Sequence, residues 1–179
     1  MAPVAGGALT IRMAEAADVP VLLAMVRELA DYERLLEHVS ATEDDYQRAL
    51  FGAGSHAHAA LAEHEGAVVG YMVWFKSFST FSARSKLYLE DLYVRPAFRG
   101  RGFGKAMLVD LARRCVDLGI VRMHWQVLDW NAPSIAFYRS LGAEVSGEWL
   151  SCALTGSALV ALAGDGIESG IGDNRRRKA

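Results

Sequence analysis

Hydrophobic positions along the chain recur at two periods, and the switches between them lay out a series of strands and helices. Residues 9–13 alternate and predict a short first strand. Asp18 then caps a helix with Pro20 in its first turn, and Val21, Leu22, Met25, Val26 and Leu29 form its apolar stripe. That helix runs out into Asp31-Tyr32-Glu33-Arg34-Leu35-Leu36-Glu37-His38, which is acidic and carries an aromatic ring. Thr42 with Asp45 makes a capping box that opens a second short helix, to about Leu50. Residues 57–62 and 67–75 read as two strands joined by Glu65-Gly66, a hairpin signal. The polar residues 77–85 predict a loop.

Residues 88–94 form a mostly buried strand that stops before Pro96, which has no N–H for a ladder. Phe103, Met107, Leu108, Leu111 and Cys115 follow at spacings of three and four, a helix that Gly119 ends. Residues 121–128 alternate as a further strand, 129–133 turn into a short helix ending at Gly142, and 148–154 give a last strand. A helical turn or two falls at 157–163, and there is no internal repeat. This order predicts an α/β (α+β) fold, a mixed, mostly antiparallel central sheet with helices on both faces.

At 179 residues the chain predicts one domain, residues 1–163, with a Gly-rich, basic tail over 164–179 that ends Arg175-Arg176-Arg177-Lys178 and reads as solvated. A net charge of −2 gives no field that draws the whole molecule to nucleic acid or membrane. The longest apolar runs are too short for a membrane span, and the first residues lack the basic start of a signal peptide. Cys115 on an apolar helix face and Cys152 in the last predicted strand read as small core residues, which fits a reducing, cytoplasmic setting. The five histidines show no metal-ligand spacing, so no metal site is expected.

The most informative stretch is Arg99-Gly100-Arg101-Gly102-Phe103-Gly104-Lys105, between a strand and a helix. Glycines at every second position let backbone N–H groups turn one way, toward a helix N-terminus whose dipole favours an anion. The dinucleotide fingerprint fails because position 105 is Lys, and the nucleotide-triphosphate loop fails because no Gly-Lys-Ser/Thr ends the gap. Arg-Gly-x-Gly-x-Gly does fit the pyrophosphate loop of coenzyme A, and the stretch closely resembles that loop in the GNAT acetyltransferase superfamily.

Two further groups bear on chemistry. Asn131, Ser134 and Tyr138 share one face of the short helix, and a tyrosine hydroxyl suits protonation of a departing thiolate. Glu90 and Asp91 are carboxylates of the kind an amine acceptor needs. A primary amine has a pKa of roughly 10.4, so its neutral form costs about 4–5 kcal/mol at pH 7. Neighbouring strand residues point to opposite faces, so both reach one pocket only if a bulge intervenes. Glu90 is the expected base. Trp74 and Phe75 are strand residues that either fill the core or wall the acceptor pocket.

Several segments together resemble the spermidine/spermine (diamine) N-acetyltransferase family over roughly residues 10–149. They are Glu28-Leu-Ala-x-Tyr-Glu, Tyr88-Leu-Glu-Asp-Leu-Tyr-Val, Arg99-Gly-x-Gly-x-Gly, and Leu128-Asp-Trp-Asn with the helix after it. The resemblance implies a dimeric enzyme that uses acetyl-coenzyme A, with Glu90 as base through water and Tyr138 as acid. It implies that Tyr32, Glu33, Glu90 and Asp91 reach the acceptor amine. In the resulting scheme Arg99, Gly100, Arg101, Gly102, Phe103, Gly104 and Lys105 hold the pyrophosphate. Leu92, Tyr93 and Val94 run beside the pantetheine arm, and Asn131, Ser134 and Tyr138 meet the cofactor further along.

One departure bears on the acceptor. Polyamine-specific members carry an acid and a Trp in the loop before the central strand, whereas here Ser79–Lys86 has no acid and two cations. That segment resembles the branch acetylating thialysine and related amino acids, where Arg84 or Lys86 would pair with an α-carboxylate. The expected activity is acetyl transfer to a small-molecule amine, with a lysine-like amino acid, diamine or polyamine as acceptor. The alternatives are a non-catalytic acyl-coenzyme A sensor and a protein lysine or N-terminal acetyltransferase.

Overall fold

A computed structural model describes residues 7–148 and 150–164. The chain divides after Gln126 into two compact units. The first unit holds five strands, β1 (Thr10–Met13), β2 (Ala57–His64), β3 (Ala67–Ser79), β4 (Arg84–Val94) and β5 (Met123–His124), paired in that spatial order. All neighbours are antiparallel except β4 and β5, so the mixed, mostly antiparallel sheet is as expected. Glu65 and Gly66 join β2 to β3 with φ of 51° and 78°, the left-handed pair that matches the twist of a two-residue hairpin.

Three helices belong to this unit: α1 (Val19–Tyr32), α2 (Glu43–Phe51) and α3 (Phe103–Asp117). At the start of α1, Asp18 accepts from the Glu15 N–H at 2.7 Å and pairs with Arg12 of β1 at 2.6 Å. Arg12 also pairs with Glu63 of β2 at 2.8 Å, and its guanidinium holds the Asp18 carboxyl below the usual carboxylate range. At α2 the Thr42 hydroxyl accepts from the Asp45 N–H at 3.3 Å while Asp45 accepts from the Thr42 N–H at 2.9 Å, the expected capping box.

Leu22 and Met25 of α1 and Leu50 of α2 pack with Ala59, Leu61, Tyr71 and Tyr93 on one face of the sheet. On the other face lies α3, whose Met107, Leu108, Leu111 and Cys115 are buried. At Gly70 of β3 both β4 and α3 come close. A Cβ there would stand 2.5 Å from the Tyr93 carbonyl oxygen and 3.4 Å from the Met107 sulfur. Gly70→Ala is therefore expected to lower stability by about 2–3 kcal/mol, read by urea denaturation. An unchanged midpoint would show that β4 yields at that point.

Four expectations need correction. Residues 77–85 are a loop only at 80–83: β3 extends to Ser79 and β4 starts at Arg84, with Ser77 opposite Lys86 and Ser79 opposite Arg84. Their polarity reflects exposure of the extended hairpin, not lack of a partner. Of 121–128, only Met123 and His124 form a strand, against one neighbour. No strand forms among the described residues of 148–154, because an apolar run supplies a pattern but not a ladder partner. Cys152 is exposed, whereas Cys115 is buried as expected.

The second unit contains α4 (Ala132–Ser140) and α5 (Gly156–Gly164). Asn131 caps α4, its Oδ1 accepting from the Ser134 N–H at 3.3 Å, with Pro133 in the first turn. The basic stretch ending at Lys178 lies outside the described residues. Among those described, no helix is long and apolar enough to cross a membrane.

Candidate active site

The acidic part of the site is made by a break in strand register. Trp74 of β3 faces Leu89, but Val73 faces Asp91, so Glu90 is an extra residue in β4 with no partner opposite. Such a bulge places two residues against one and reverses the alternation beyond it. Asp91 consequently lies on the sheet face of Tyr71 and Tyr93, under α1 and α2. The same reversal puts Tyr88, Lys86 and Arg84, which pair with Phe75, Ser77 and Ser79, on that face too.

Asp91 is part-buried and accepts a hydrogen bond from the Tyr71 hydroxyl at 3.0 Å. Burial pushes its carboxyl up to about 6, the Tyr71 bond opposes this, and Glu90 and Glu33 raise it further. Burial also raises the carboxyl of Glu33, the residue that follows α1. The Tyr46 and Tyr88 hydroxyls are raised, first by burial and then by the charges of Glu90 and Asp91. Three carboxylates and three phenols therefore share one field. Such a floor attracts an ammonium group and gives its proton a nearby acceptor.

The glycine-rich turn lies between β4 and α3. Gly100 and Gly102 have φ of 75° and 83°, and a Cβ at either would meet nothing within 4 Å, so the turn is open in front. The first helical bond of α3 runs from the Ala106 N–H to the Gly102 carbonyl. The N–H groups of Phe103, Gly104 and Lys105 thus have no helical acceptor and are available to an anion. Arg101 lies over the Phe98 ring at 5.3 Å, at the same turn. These residues fit a pyrophosphate. Leu92, Tyr93 and Val94 lead into the turn as the last residues of β4.

Arg99 has a different posture. Its Nε donates to the Val94 carbonyl at 2.9 Å, and its guanidinium lies 4.9 Å from the Tyr32 ring centre and 5.6 Å from that of Tyr93. Beside it Arg95 grips Glu28 of α1, with Nη2 to Oε1 at 2.8 Å, while its Nη1 donates to the Val68 carbonyl at 2.9 Å. The Tyr93 hydroxyl donates to the same Glu28 at 3.3 Å.

Asn131, Ser134 and Tyr138 belong to the second unit, where Asn131 and Tyr138 are buried. Asn131 and Ser134 bond to each other across the first turn of α4. The Tyr138 ring lies 5.3 Å from that of Phe137.

Residues 22–143 match the sequence profile of the acetyltransferase (GNAT) family. The chain belongs to that family. Members use acetyl-coenzyme A as co-substrate, and this chain is an amine N-acetyltransferase by its relatives. It is 35% identical over 166 residues to the thialysine N-epsilon-acetyltransferase of Sus scrofa, covering 86% of this chain and 96% of that one. Over 95 residues it is 42% identical to an L-ornithine N5-acetyltransferase of Arabidopsis thaliana, covering 53% of this chain and 42% of that one, so the chain spans less than half of that relative's length. An integron cassette protein from the mobile metagenome of V. cholerae superposes with a TM-score of 0.73 at 24% identity, covering 89% of this chain and 99% of that one. It shares the fold.

Sequence reading missed Tyr46 and Tyr71, whose phenols surround the acids, and the Arg95–Glu28 pair. Tyr71 carried a faint signal, a hydroxyl in an otherwise apolar strand, where a buried phenol needs a partner. Tyr46 and Arg95 carried none.

Proposed function

We propose that this enzyme transfers the acetyl group of acetyl-coenzyme A to the side-chain amine of a lysine-like amino acid, by direct attack in a ternary complex. The observation that carries this reading is the polarity of one sheet face. Glu33, Glu90 and Asp91 gather at one end, and Lys86 and Arg84 lie further along the same face of β4. Lys86 is four residues from Glu90, about 13 Å of strand, and Arg84 about 20 Å. Spacing favours Lys86, on its flexible stem, as partner for an α-carboxylate. The thialysine and ornithine enzymes among the relatives support an amino-acid acceptor.

In this reading the acidic floor binds the ammonium group and Glu90 takes its proton through water. The freed nitrogen forms a bond to the acetyl carbon as the carbon–sulfur bond breaks, and its surplus proton leaves to water. Tyr138 protonates the sulfur, the role given to it by its match to the family tyrosine. Gly100 to Lys105 and Arg101 hold the pyrophosphate. The enzyme acts as a homodimer, the state the resemblance implies, in the reducing cytoplasmic setting that two free cysteines fit.

The test is thiol release from acetyl-coenzyme A with thialysine, lysine, ornithine, cadaverine and spermidine as acceptors. The amino acids are expected to exceed the amines that lack a carboxylate, and Lys86→Glu to lower kcat/KM for thialysine about tenfold while sparing cadaverine. Preference for spermidine would return the acceptor to the polyamines. Silence across the panel with tight coenzyme A binding would point to a sensor.

A further inference from the structure

One side chain joins the mouth of the cradle to the end of α1. Arg99 immediately precedes Gly100, and its N–H closes the short helical turn Pro96–Phe98 by donating to the Pro96 carbonyl at 3.2 Å. Its Nε donates to the Val94 carbonyl at the end of β4, so the side chain runs from the loop back toward the sheet. Its guanidinium lies over Tyr32, the last residue of α1. The next residue is Glu33, whose charge acts on both Asp91 and Tyr71. Loop, Arg99, Tyr32, Glu33 and the acidic floor thus form one continuous series of contacts and fields.

Two features suit this series to carry a signal. The body of α1 is fixed independently, since Arg95 holds Glu28 and Val68 at once. Arg99 meets α1 at its last residue, Tyr32. Tyr32 is 37% exposed, and a cation over a ring at the surface is a weak bond that an arriving charge can readjust. An anion captured by the N–H groups after Gly100 orders the backbone on which Arg99 is mounted.

We propose that Arg99 is a positioning residue that couples the cradle to the acceptor site, so that bound coenzyme A tightens binding of the amine. The proposal rests on the acetyl-transfer reading above. It assigns the Tyr32 ring, rather than its hydroxyl, the decisive part.

Calorimetric titration of L-thialysine into the protein alone, and into protein saturated with coenzyme A, tests it. Thialysine is expected to bind at least about fivefold more tightly to the loaded protein, and coenzyme A affinity to rise by the same factor with thialysine present. Arg99→Ala and Tyr32→Leu reduce the factor to about one, and Tyr32→Phe keeps it because the ring remains. Saturation removes any change in coenzyme A affinity from the ratio. A wild-type factor of one, an unchanged factor in Arg99→Ala, or a Phe variant as damaged as Leu would overturn the coupling with the transfer reading intact. Failure of the wild type to bind coenzyme A would overturn that reading and the coupling with it.

Discussion

Asp91→Asn is expected to lower kcat/KM for the amine about 10²-fold or more while making the protein about 2–3 kcal/mol more stable at pH 8. Asp91 lies under two helices, and burial is the main reason its carboxyl titrates at about 6 instead of 3.8. A folded protein that holds a proton more tightly than its unfolded chain loses stability as pH rises. The cost of the ionised carboxylate is full above pH 6, fades between about 6 and 3.8, and is gone below that. The amide has no charge to bury and can still accept from Tyr71. Its advantage in urea should therefore be largest at pH 8 and absent near pH 3.5. Equal stability of the two proteins at pH 8 would remove the buried charge from the account.

The role proposed for this carboxylate also predicts a pH dependence of activity. The ionised form attracts the ammonium group, so kcat/KM of the native enzyme should rise through about pH 6. In the amide variant that limb should disappear. Stability and function pull in opposite directions at this residue, as expected where a site keeps an unfavourable charge for its chemistry.

Tyr138→Phe is the second large effect, a fall in kcat of about 10²-fold or more with coenzyme A affinity retained. The change removes one oxygen from a buried ring and keeps the ring's contact with Phe137. Binding should hold because the pyrophosphate contacts are assigned to backbone of another segment. Turnover should not, because a departing thiolate then lacks its proton donor. Single-turnover kinetics separate the two. Wild-type kcat in the variant would take Tyr138 out of the mechanism.

Features built from neighbours in the chain were legible without coordinates. The capping box of Thr42 and Asp45, the Glu65-Gly66 hairpin and the Gly100–Gly102 turn each depend on a few consecutive residues, and each is present, with the third glycine, Gly104, inside the first turn of α3. The family resemblance drew on the same short segments. Less legible were elements whose existence depends on a partner strand. Residues 77–79 and 84–86 read as loop because they are polar, yet they pair. Residues 148–154 read as strand because they are apolar, yet none of the described ones is in a strand.

The site divides along the same line. Sequence alone determined which groups are present: paired carboxylates, a glycine turn with cations, and a tyrosine on a capped helix. Tertiary structure decided how they act. It placed the bulge at Glu90, which turns Asp91 toward Tyr71 and aligns Lys86 with the acids. It also folded Arg99 over Tyr32, residues 67 positions apart in the chain. Register and burial arise from contacts distant in sequence, and a carboxylate's pKa follows from what surrounds it, so neither is written in the order of residues.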